Sequence, residues 1–298
     1  MIADKSMSSK VMDIIVYTTM IIVLVATLYP VLYVISSSLS SANANDRGLV
    51  TIFPVEFNIE AYKGIFQMPT LTRAFGNSVI ITVGGTAINM VLTTTYAYAL
   101  SRKRLALRGI YTIIAMIPMY FSGGLIPSFL LISQNLHLYN SWWALILPGA
   151  INTSNMIIMR SFFVSLPAEL EESAYLDGAN DFVIFWKIML PLSQAVMMTV
   201  GLYYMVSHWN SWFSAMVYLN DEKKMPLQFM LRQIVLLSAN LEQAALDGEA
   251  ITGTSIYFTN YVAVKYATLV FSMAPMLMIY PFIQKFFVKG VMIGSVKG

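Results

Sequence analysis

Residues 109–159 read GIYTIIAMIPMYFSGGLIPSFLLISQNLHLYNSWWALILPGAINTSNMIIM, a stretch of 51 positions without Asp, Glu, Lys or Arg. A helix that crosses the hydrocarbon core of a bilayer needs about 20 apolar residues, so this stretch is too long for a single span. Its polar centre, Gln134–Ser141, is typical of a tight turn between two helices. The stretch therefore predicts two membrane-spanning helices joined by a short hairpin.

Four further stretches lack charged residues, and they cover 14–45, 74–101, 188–220 and 266–284. The 298-residue chain is 57% hydrophobic and 11% charged, against about 25% charged in an ordinary soluble domain. We predict an all-α integral membrane protein in which residues 1–298 form a single transmembrane domain. Its six predicted spans cover about 13–36, 76–100, 110–133, 142–162, 185–208 and 262–286.

Seven prolines lie within or at the ends of these spans. Each removes a backbone donor, so we expect several spans to be kinked or broken. Broken helices line cavities in many transporters, but membrane helices also accept proline for packing alone, and the sequence leaves both interpretations open. The seven are Pro30, Pro118, Pro127, Pro148, Pro191, Pro275 and Pro281.

The first span is expected to be retained, although it could be a cleaved signal peptide. The tripeptide Ala42-Asn43-Ala44 looks like a signal-peptidase site. The apolar run Ile14–Ile35 is 22 residues long, however, whereas the hydrophobic region of a signal peptide has about 7–15 residues. This length favours a helix that stays in the membrane.

Lys and Arg in short loops set the expected orientation of the spans. Basic residues cluster in the loop 101–109 and near the C-terminus, namely Arg102, Lys103, Arg104, Arg108, Lys285, Lys289 and Lys297. We expect both regions to be cytoplasmic, and an even number of spans then places the N-terminus and the loop 163–187 on the same side. The external segments are about 40–74, 134–141 and 209–261. The last contains an amphipathic segment, Pro226–Leu237, expected to be a helix that lies at the membrane surface or packs externally.

The most acidic part of the chain falls on this expected cytoplasmic side, in SLPAELEESAYLDGANDFVIFWKIMLPLS, Ser165–Ser193. We call residues 165–191 the acidic elbow, because the pattern predicts a helix, a sharp turn and a second helix. Ser165 is the predicted cap of the first helix, Gly178 its left-handed stop and Asn180 the cap of the second. Pro191 is expected to kink the second helix.

The acidic elbow permits two interpretations. Charge runs are usually solvated faces, so the segment could simply connect two spans. Ordered carboxylates on one arm and aromatic residues on the other, Phe182, Phe185 and Trp186, instead indicate a docking surface for a cytoplasmic partner.

Several kinds of chemistry lack their sequence motifs. There is no phosphate-binding G-x-x-x-x-G-K-[ST] and no H-E-x-x-H, and the two histidines, His137 and His208, are far apart. We therefore expect no catalytic residue and no metal site. A net charge of +3 without a long basic run disfavours nucleic-acid binding. The scarcity of charge within the spans weakens an ion-coupled secondary carrier, and that class and a membrane protein for assembly or signalling remain as alternatives.

Motifs in the elbow and at the C-terminus resemble those of bacterial ABC importer permeases. Glu172-Ser173-Ala174, Asp177-Gly178-Ala179 and Ile188-Met189-Leu190-Pro191 are similar to the EAA loop, with Ser173 where that family usually has Ala. Gly290 and the tail Gly294–Gly298 resemble the MalG type of carbohydrate permease. The resemblance covers the chain from about residue 12, and is nearest to the second permeases of complex oligosaccharide importers, including the alginate importer.

The resemblance implies that the elbow is a coupling helix seated in a cleft of an ATP-binding subunit. Glu172 would pair with a basic residue there, and Gly178 would permit the turn. The implied coupling residues are Glu171, Glu172, Ser173, Ala174, Asp177, Gly178 and Ala179. The implied residues at the ATPase interface are Gly294, Ser295, Val296, Lys297 and Gly298.

The resemblance also implies that the chain lies in the lipid of the bacterial cytoplasmic membrane and assembles with several partners. They are a homologous second permease, two ATP-binding subunits that hold ATP and Mg, and an extracytoplasmic sugar-binding protein that meets 209–261. No cofactor is implied for this chain, and a non-sugar solute remains an alternative.

Neutral polar side chains within the spans could face a sugar path, because sugars bind to aromatic faces and to uncharged hydrogen-bonding groups. Helix–helix hydrogen bonding is the alternative explanation for the same residues. The candidates are Tyr120, Ser122, Asn152, Asn155, Tyr203 and Tyr204.

Overall fold

The computed structural model describes residues 7–246 and 261–295, and within these ranges the chain is helical without strands. The α-helices, numbered in chain order, are α1 Met7–Ser38, α2 Ala42–Asp46, α3 Glu60–Gln67, α4 Pro69–Ser101, α5 Arg108–Tyr120, α6 Leu125–Leu130, α7 Trp143–Ile146, α8 Thr153–Ser165, α9 Glu169–Leu176, α10 Asp181–Ile184, α11 Leu190–Leu192, α12 Gln194–Trp209, α13 Trp212–Tyr218, α14 Leu227–Leu246 and α15 Tyr261–Ser295. Two π-helical turns cover Leu131–Asn135 and Phe185–Met189, and two 3₁₀ turns cover Leu147–Gly149 and Glu222–Lys224.

The chain divides into two compact units, Met1–Pro69 with Gln233–Met273, and Thr70–Arg232 with Ala274–Gly298. In the first unit, α1 exposes apolar side chains on all sides from residue 11 to residue 30, as expected of a helix surrounded by lipid. Its C-terminal end is buried, where the Ser38 hydroxyl lies 2.7 Å from the Tyr62 hydroxyl of α3. The ring of Tyr33 meets Tyr266 of α15 edge-on.

The second unit is built around α4 and contains two hydrophobic cores. The larger core packs α4 and α8 against the elbow and α12, and its most buried members include Leu100, Met159, Phe163, Ile184 and Val200. The smaller core packs the 134–141 hairpin and α7 against α13 and the start of α14. Both the elbow and the hairpin are therefore fixed by apolar packing.

Within residues 7–246 and 261–295, three helices are long and apolar enough to cross a membrane, and there are up to five spans if each of two bent helix pairs is one span. The first pair, Arg108–Tyr120 with Leu125–Asn135, bends by 116°, and the second, Asp181–Leu192 with Gln194–Trp209, bends by 83°. The bends fall after Pro118 and Pro191, as expected where proline removes a backbone donor. The fourth predicted span, 142–162, is no continuous helix, because the chain breaks between α7 and α8. Six spans therefore remains a prediction.

The amphipathic segment predicted at Pro226–Leu237 lies at the start of α14, where the Arg232 guanidinium lies 4.8 Å from the ring centre of Trp212.

Other predicted features fall wholly or partly beyond the described residues. Part of the predicted external connection, 247–260, lies outside the described residues. So do Val296, Lys297 and Gly298 of the predicted tail, whereas the backbone of α15 includes Gly294 and Ser295.

Candidate functional site

The turn of the acidic elbow is closed by backbone hydrogen bonds around Gly178. This glycine has a φ of 82°, and its N–H donates to the carbonyl of Tyr175 at 3.0 Å, while the Ala179 N–H donates to Ala174 at 2.9 Å. This pair of bonds satisfies carbonyls at the end of α9 that would otherwise lack partners. The Asn180 side chain then caps α10 by accepting the Val183 N–H at 2.9 Å. The turn therefore leaves little conformational freedom between the two arms.

The predicted cap at Ser165 is wrong. Ser165 is the last residue of α8, and its hydroxyl donates to the Phe162 carbonyl at 2.8 Å. Leu166 is extended because a residue that precedes a proline, here Pro167, is disfavoured in the helical region. The break therefore follows Ser165, and α9 begins at Glu169 without a side-chain cap.

Arg102, directly after α4, pairs with Glu171 on the first turn of α9. The side chains of Arg102 and Glu171 are only 12% and 18% exposed, and Arg102 also donates to the Phe163 carbonyl at 3.3 Å. Burial lowers the pKa of the Arg102 guanidinium, but an arginine stays charged at neutral pH. The pair therefore fixes α9 to the end of α4 through a shielded charge contact.

A second arginine of the same loop contacts both arms of the elbow. Arg104 pairs with Asp181 at the start of α10, lies 3.6 Å from Glu171 Oε1, and covers the ring of Tyr175 at 4.6 Å. The Tyr175 hydroxyl donates to Asp181 Oδ1 at 2.6 Å. We call these residues the basic brace: Arg102, Arg104, Glu171, Tyr175 and Asp181. The brace thus pairs two of the elbow's carboxylates with basic residues of the neighbouring loop.

The other face of the elbow is exposed. Glu172, Ser173, Asp177 and two large apolar side chains, Leu176 and Phe182, form what we call the outer face. Leu176 is 89% exposed and Phe182 is 70% exposed. The outer face thus combines carboxylates with large exposed apolar side chains, and exposed apolar surface can mark an interaction site.

The structure separates residues that the sequence had grouped together. The outer face contains Glu172, Ser173 and Asp177 of the predicted coupling residues, whereas Glu171 belongs to the basic brace and Ala174 is buried. Phe185, predicted as an exposed docking residue, is 6% exposed, and its ring centre lies 5.0 Å from that of Tyr98. It is a core residue, and that prediction is wrong.

Replacing Gly178 tests whether the elbow needs the left-handed conformation. A Cβ at this position would contact no atom within 4 Å, so any cost comes from the backbone. We expect Gly178→Val to destabilise the turn by about 2 kcal/mol and Gly178→Asn by much less, because Asn tolerates this region. The rate of limited proteolysis at the elbow measures the effect of both substitutions. Equal sensitivity of the two variants would contradict this explanation.

The second candidate site is a cavity of about 610 Å³ in the second unit. Its lining comes from α4, α6 to α8, α12 and α13 with their connecting turns, and includes no Asp, Glu, Lys or Arg among residues 70–232. Four predicted path residues line it, namely Asn152, Asn155, Tyr203 and Tyr204. Tyr120 and Ser122 do not, and Tyr120 is 69% exposed at the end of α5. The structure therefore brings together four of the six.

The break between α7 and α8 forms one wall of the cavity, and other helices satisfy its backbone groups. The Gly149 carbonyl accepts the Asn89 amide of α4 at 2.7 Å, and the Asn152 N–H donates to the Tyr204 hydroxyl at 2.9 Å. The Tyr204 hydroxyl also lies 2.7 Å from the hydroxyl of Thr93. For Tyr204 the alternative explanation, helix–helix hydrogen bonding, therefore holds.

Asn89 and His208 also line the cavity, although neither was predicted from the sequence. His208 Nε2 lies 3.1 Å from Asn89 Oδ1, and both residues are buried. The available signal was an amide in the apolar second span, which must find a hydrogen-bond partner. Only the fold identifies that partner, because the two residues are more than 100 positions apart.

His208 packs against Gly85, and this contact gives a test of cavity packing. A Cβ at Gly85 would lie 2.6 Å from His208 Nε2, whereas one at Gly84 would contact nothing within 4 Å. We expect Gly85→Ala to cost about 2 kcal/mol in thermal unfolding of the purified protein. Gly84→Ala should be neutral or stabilising because it gains helix propensity without a clash. Adding His208→Ala to Gly85→Ala should recover much of the loss, and no recovery would contradict the steric explanation.

Comparisons with known proteins identify the family of this chain. Residues 90–293 match the family described as "binding-protein-dependent transport system inner membrane component". Protein LplC of Bacillus subtilis is 42% identical over 91% of this chain and 90% of its own length. YtcP of the same organism, named a polygalacturonan/rhamnogalacturonan transport system permease protein, is 39% identical over 98% of this chain and 100% of its own length.

A solved structure has the same fold. It is a chain of a bacterial ABC transporter involved in the import of the acidic polysaccharide alginate, 33% identical, with a TM-score of 0.84 over 95% of this chain and 99% of that chain. This chain therefore belongs to the family of inner membrane components of binding-protein-dependent transport systems. It is a membrane permease of the ABC importer class and a transport component rather than an enzyme.

Proposed function

We propose that this chain is one of two homologous permease subunits of an ATP-driven importer that carries an oligosaccharide or polysaccharide fragment across the bacterial cytoplasmic membrane. The names of the relatives support a saccharide, since one is a polygalacturonan/rhamnogalacturonan permease and another belongs to an alginate importer. Neutral and acidic saccharides both remain candidates, and a non-sugar solute is the alternative.

The outer face of the acidic elbow docks into a cleft of an ATP-binding subunit. One observation carries this proposal: Glu172, Leu176 and Phe182 are all exposed, while the basic brace holds Glu171 against the chain itself. A charged group with apolar neighbours on a rigid support can pair with a basic residue at low entropic cost. Glu172 and Gly178 are therefore the residues most needed for coupling.

Movement of the elbow reaches the cavity through α4. The brace connects the elbow to Arg102, directly after α4, and Asn89 at the cavity lies on α4, 13 residues earlier, a distance of about 20 Å at 1.5 Å per residue. ATP binding would close the two ATPase subunits and displace both elbows. The cavity would then open outward to receive the saccharide, and hydrolysis would restore the inward-open state.

The remaining partners follow from the family. Two ATP-binding subunits would hold ATP and Mg, so this chain itself binds no cofactor. An external binding protein would deliver the saccharide near 209–261, and residues Gly294–Gly298 would approach the ATPase interface. The six spans would cross lipid with both termini in the cytoplasm.

Purification of the tagged chain from its native host, in several mild detergents, tests the proposal. We expect a P-loop ATPase and a second permease in stoichiometric amounts, and ATP-driven saccharide uptake after reconstitution of the complex into liposomes. A chain that stays alone and takes up solute with an ion gradient would overturn the proposal in favour of a secondary carrier.

A further inference from the structure

The polar cavity in the second unit has the size and the free hydrogen-bonding groups of a ligand site. Its volume of about 610 Å³ falls within the roughly 300–1,000 Å³ that is typical of small-molecule sites. Part of its polar lining is already used, because Asn89, Tyr204 and His208 bond to other parts of the fold. The groups without such bonds are the ones that a ligand could engage.

Asn155 is the clearest of these free groups. It lines the cavity and is only 8% exposed. Its backbone N–H donates to the side-chain oxygen of Asn152, which caps α8. Its side-chain amide has no hydrogen-bond partner within residues 7–246 and 261–295. The unpaired amide atoms keep accessible surface in the cavity, so a bound solute or water can form hydrogen bonds with them.

Tyr203, on the neighbouring wall, supplies a ring and a hydroxyl. It lines the cavity and is 46% exposed, and its hydroxyl likewise has no partner in the described part of the chain. An exposed tyrosine combines an apolar face with a hydrogen-bonding end. It can therefore pack against the carbon face of a sugar ring and bond to a hydroxyl.

The cavity offers nothing that would pair with a charged group. Its lining includes no acidic residue, lysine or arginine from the described second unit, and the Nε2 atom of His208 is engaged by Asn89. An unpaired carboxylate would lose hydration here without gaining a counter-ion. Uncharged hydroxyls would lose little, since amides and hydroxyls replace their water.

We infer that this chain contributes a saccharide subsite that binds ring hydroxyls through Asn155 and Tyr203 and recognises no charged group. The inference rests on the proposed importer function and adds its chemistry: an acidic saccharide would have its carboxylates recognised elsewhere in the complex. Asn155 and Tyr203 are then specificity-determining residues for the hydroxyl pattern of the solute.

The test uses the reconstituted complex and two probes with the same sugar rings and hydroxyls, the charged trigalacturonate and its uncharged methyl ester. Asn155→Ala should raise the KM for uptake about tenfold for both probes, since one set of hydrogen bonds is lost in each case. Asn135→Ala, which removes an exposed amide outside the cavity, should leave both values unchanged. Tyr203→Phe should raise both KM values severalfold.

Adding a charge separates this inference from a purely structural role. Asn155→Asp keeps the size of the side chain, and it should raise the KM for the acid at least tenfold more than the KM for the ester. Unchanged KM values in both Asn155→Ala and Tyr203→Phe would overturn the subsite, as would an effect of Asn155→Ala on the acid alone. Failure of the unaltered complex to take up either probe would instead count against the proposed saccharide function.

Discussion

Glu172→Arg should lower the initial rate of ATP-driven uptake about a hundredfold. The carboxylate is exposed on the outer face of the elbow, where the proposed partner is a basic residue of the ATP-binding subunit. Reversal of one charge in such a pair replaces attraction by repulsion and costs about 3 kcal/mol. The measurements are uptake into liposomes and the amount of ATPase that co-purifies with the chain.

Glu169→Arg is the matched control for this experiment. Glu169 is also an exposed carboxylate in the first turn of α9, so its reversal disturbs the helix dipole to the same extent. It lies one turn before Glu172 and is not among the implied coupling residues, and we expect uptake to fall no more than severalfold. Normal coupled uptake by Glu172→Arg, or equal losses in the two variants, would exclude a specific coupling role for Glu172.

Reversal of either charge in the Arg102–Glu171 pair should destabilise the elbow and abolish coupled uptake. Both side chains are largely buried, and a shielded charge that loses its partner costs about 3 kcal/mol. Arg102→Glu and Glu171→Arg should each make the elbow sensitive to limited proteolysis and lower the thermal stability of the protein. Lys103→Glu, at an exposed position of the same loop, should change neither property.

The double exchange of Arg102→Glu with Glu171→Arg should restore part of the loss. Recovery will be incomplete because Arg104, 3.6 Å from Glu171 in the unaltered protein, would then face a second arginine. A double variant no better than the worse single variant would show that the two charges do not act as a pair.

The internal geometry of the elbow was largely predictable because it depends on local chemistry. A glycine after Asp177 and an amide at Asn180 are sufficient for the stop and the cap, since both act within a few residues. Ser165 was wrongly predicted as a helix cap, because Pro167 places the break after Ser165, which is the last residue of α8. Local rules thus located the turn but missed one boundary.

Which elbow side chains point toward the rest of the protein and which are exposed was not predictable. Glu171 and Glu172 are adjacent carboxylates, yet successive residues of a helix point about 100° apart. Only the position of the loop after α4 directs the first toward Arg102 and leaves the second exposed. Phe182 and Phe185 differ in the same way, since Tyr98 of α4 covers one ring and not the other.

By itself the sequence determined that the chain is a helical membrane protein with a helix–turn–helix elbow. These features depend on the cost of placing charge in lipid and on backbone preferences at single residues. The tertiary structure decided which carboxylate is free and which polar residues share a cavity. Asn89, Asn155 and Tyr203 are distant in the chain and meet only because α4, α8 and α12 pack around a broken helix. Such contacts depend on side-chain packing between distant segments, which no local pattern encodes.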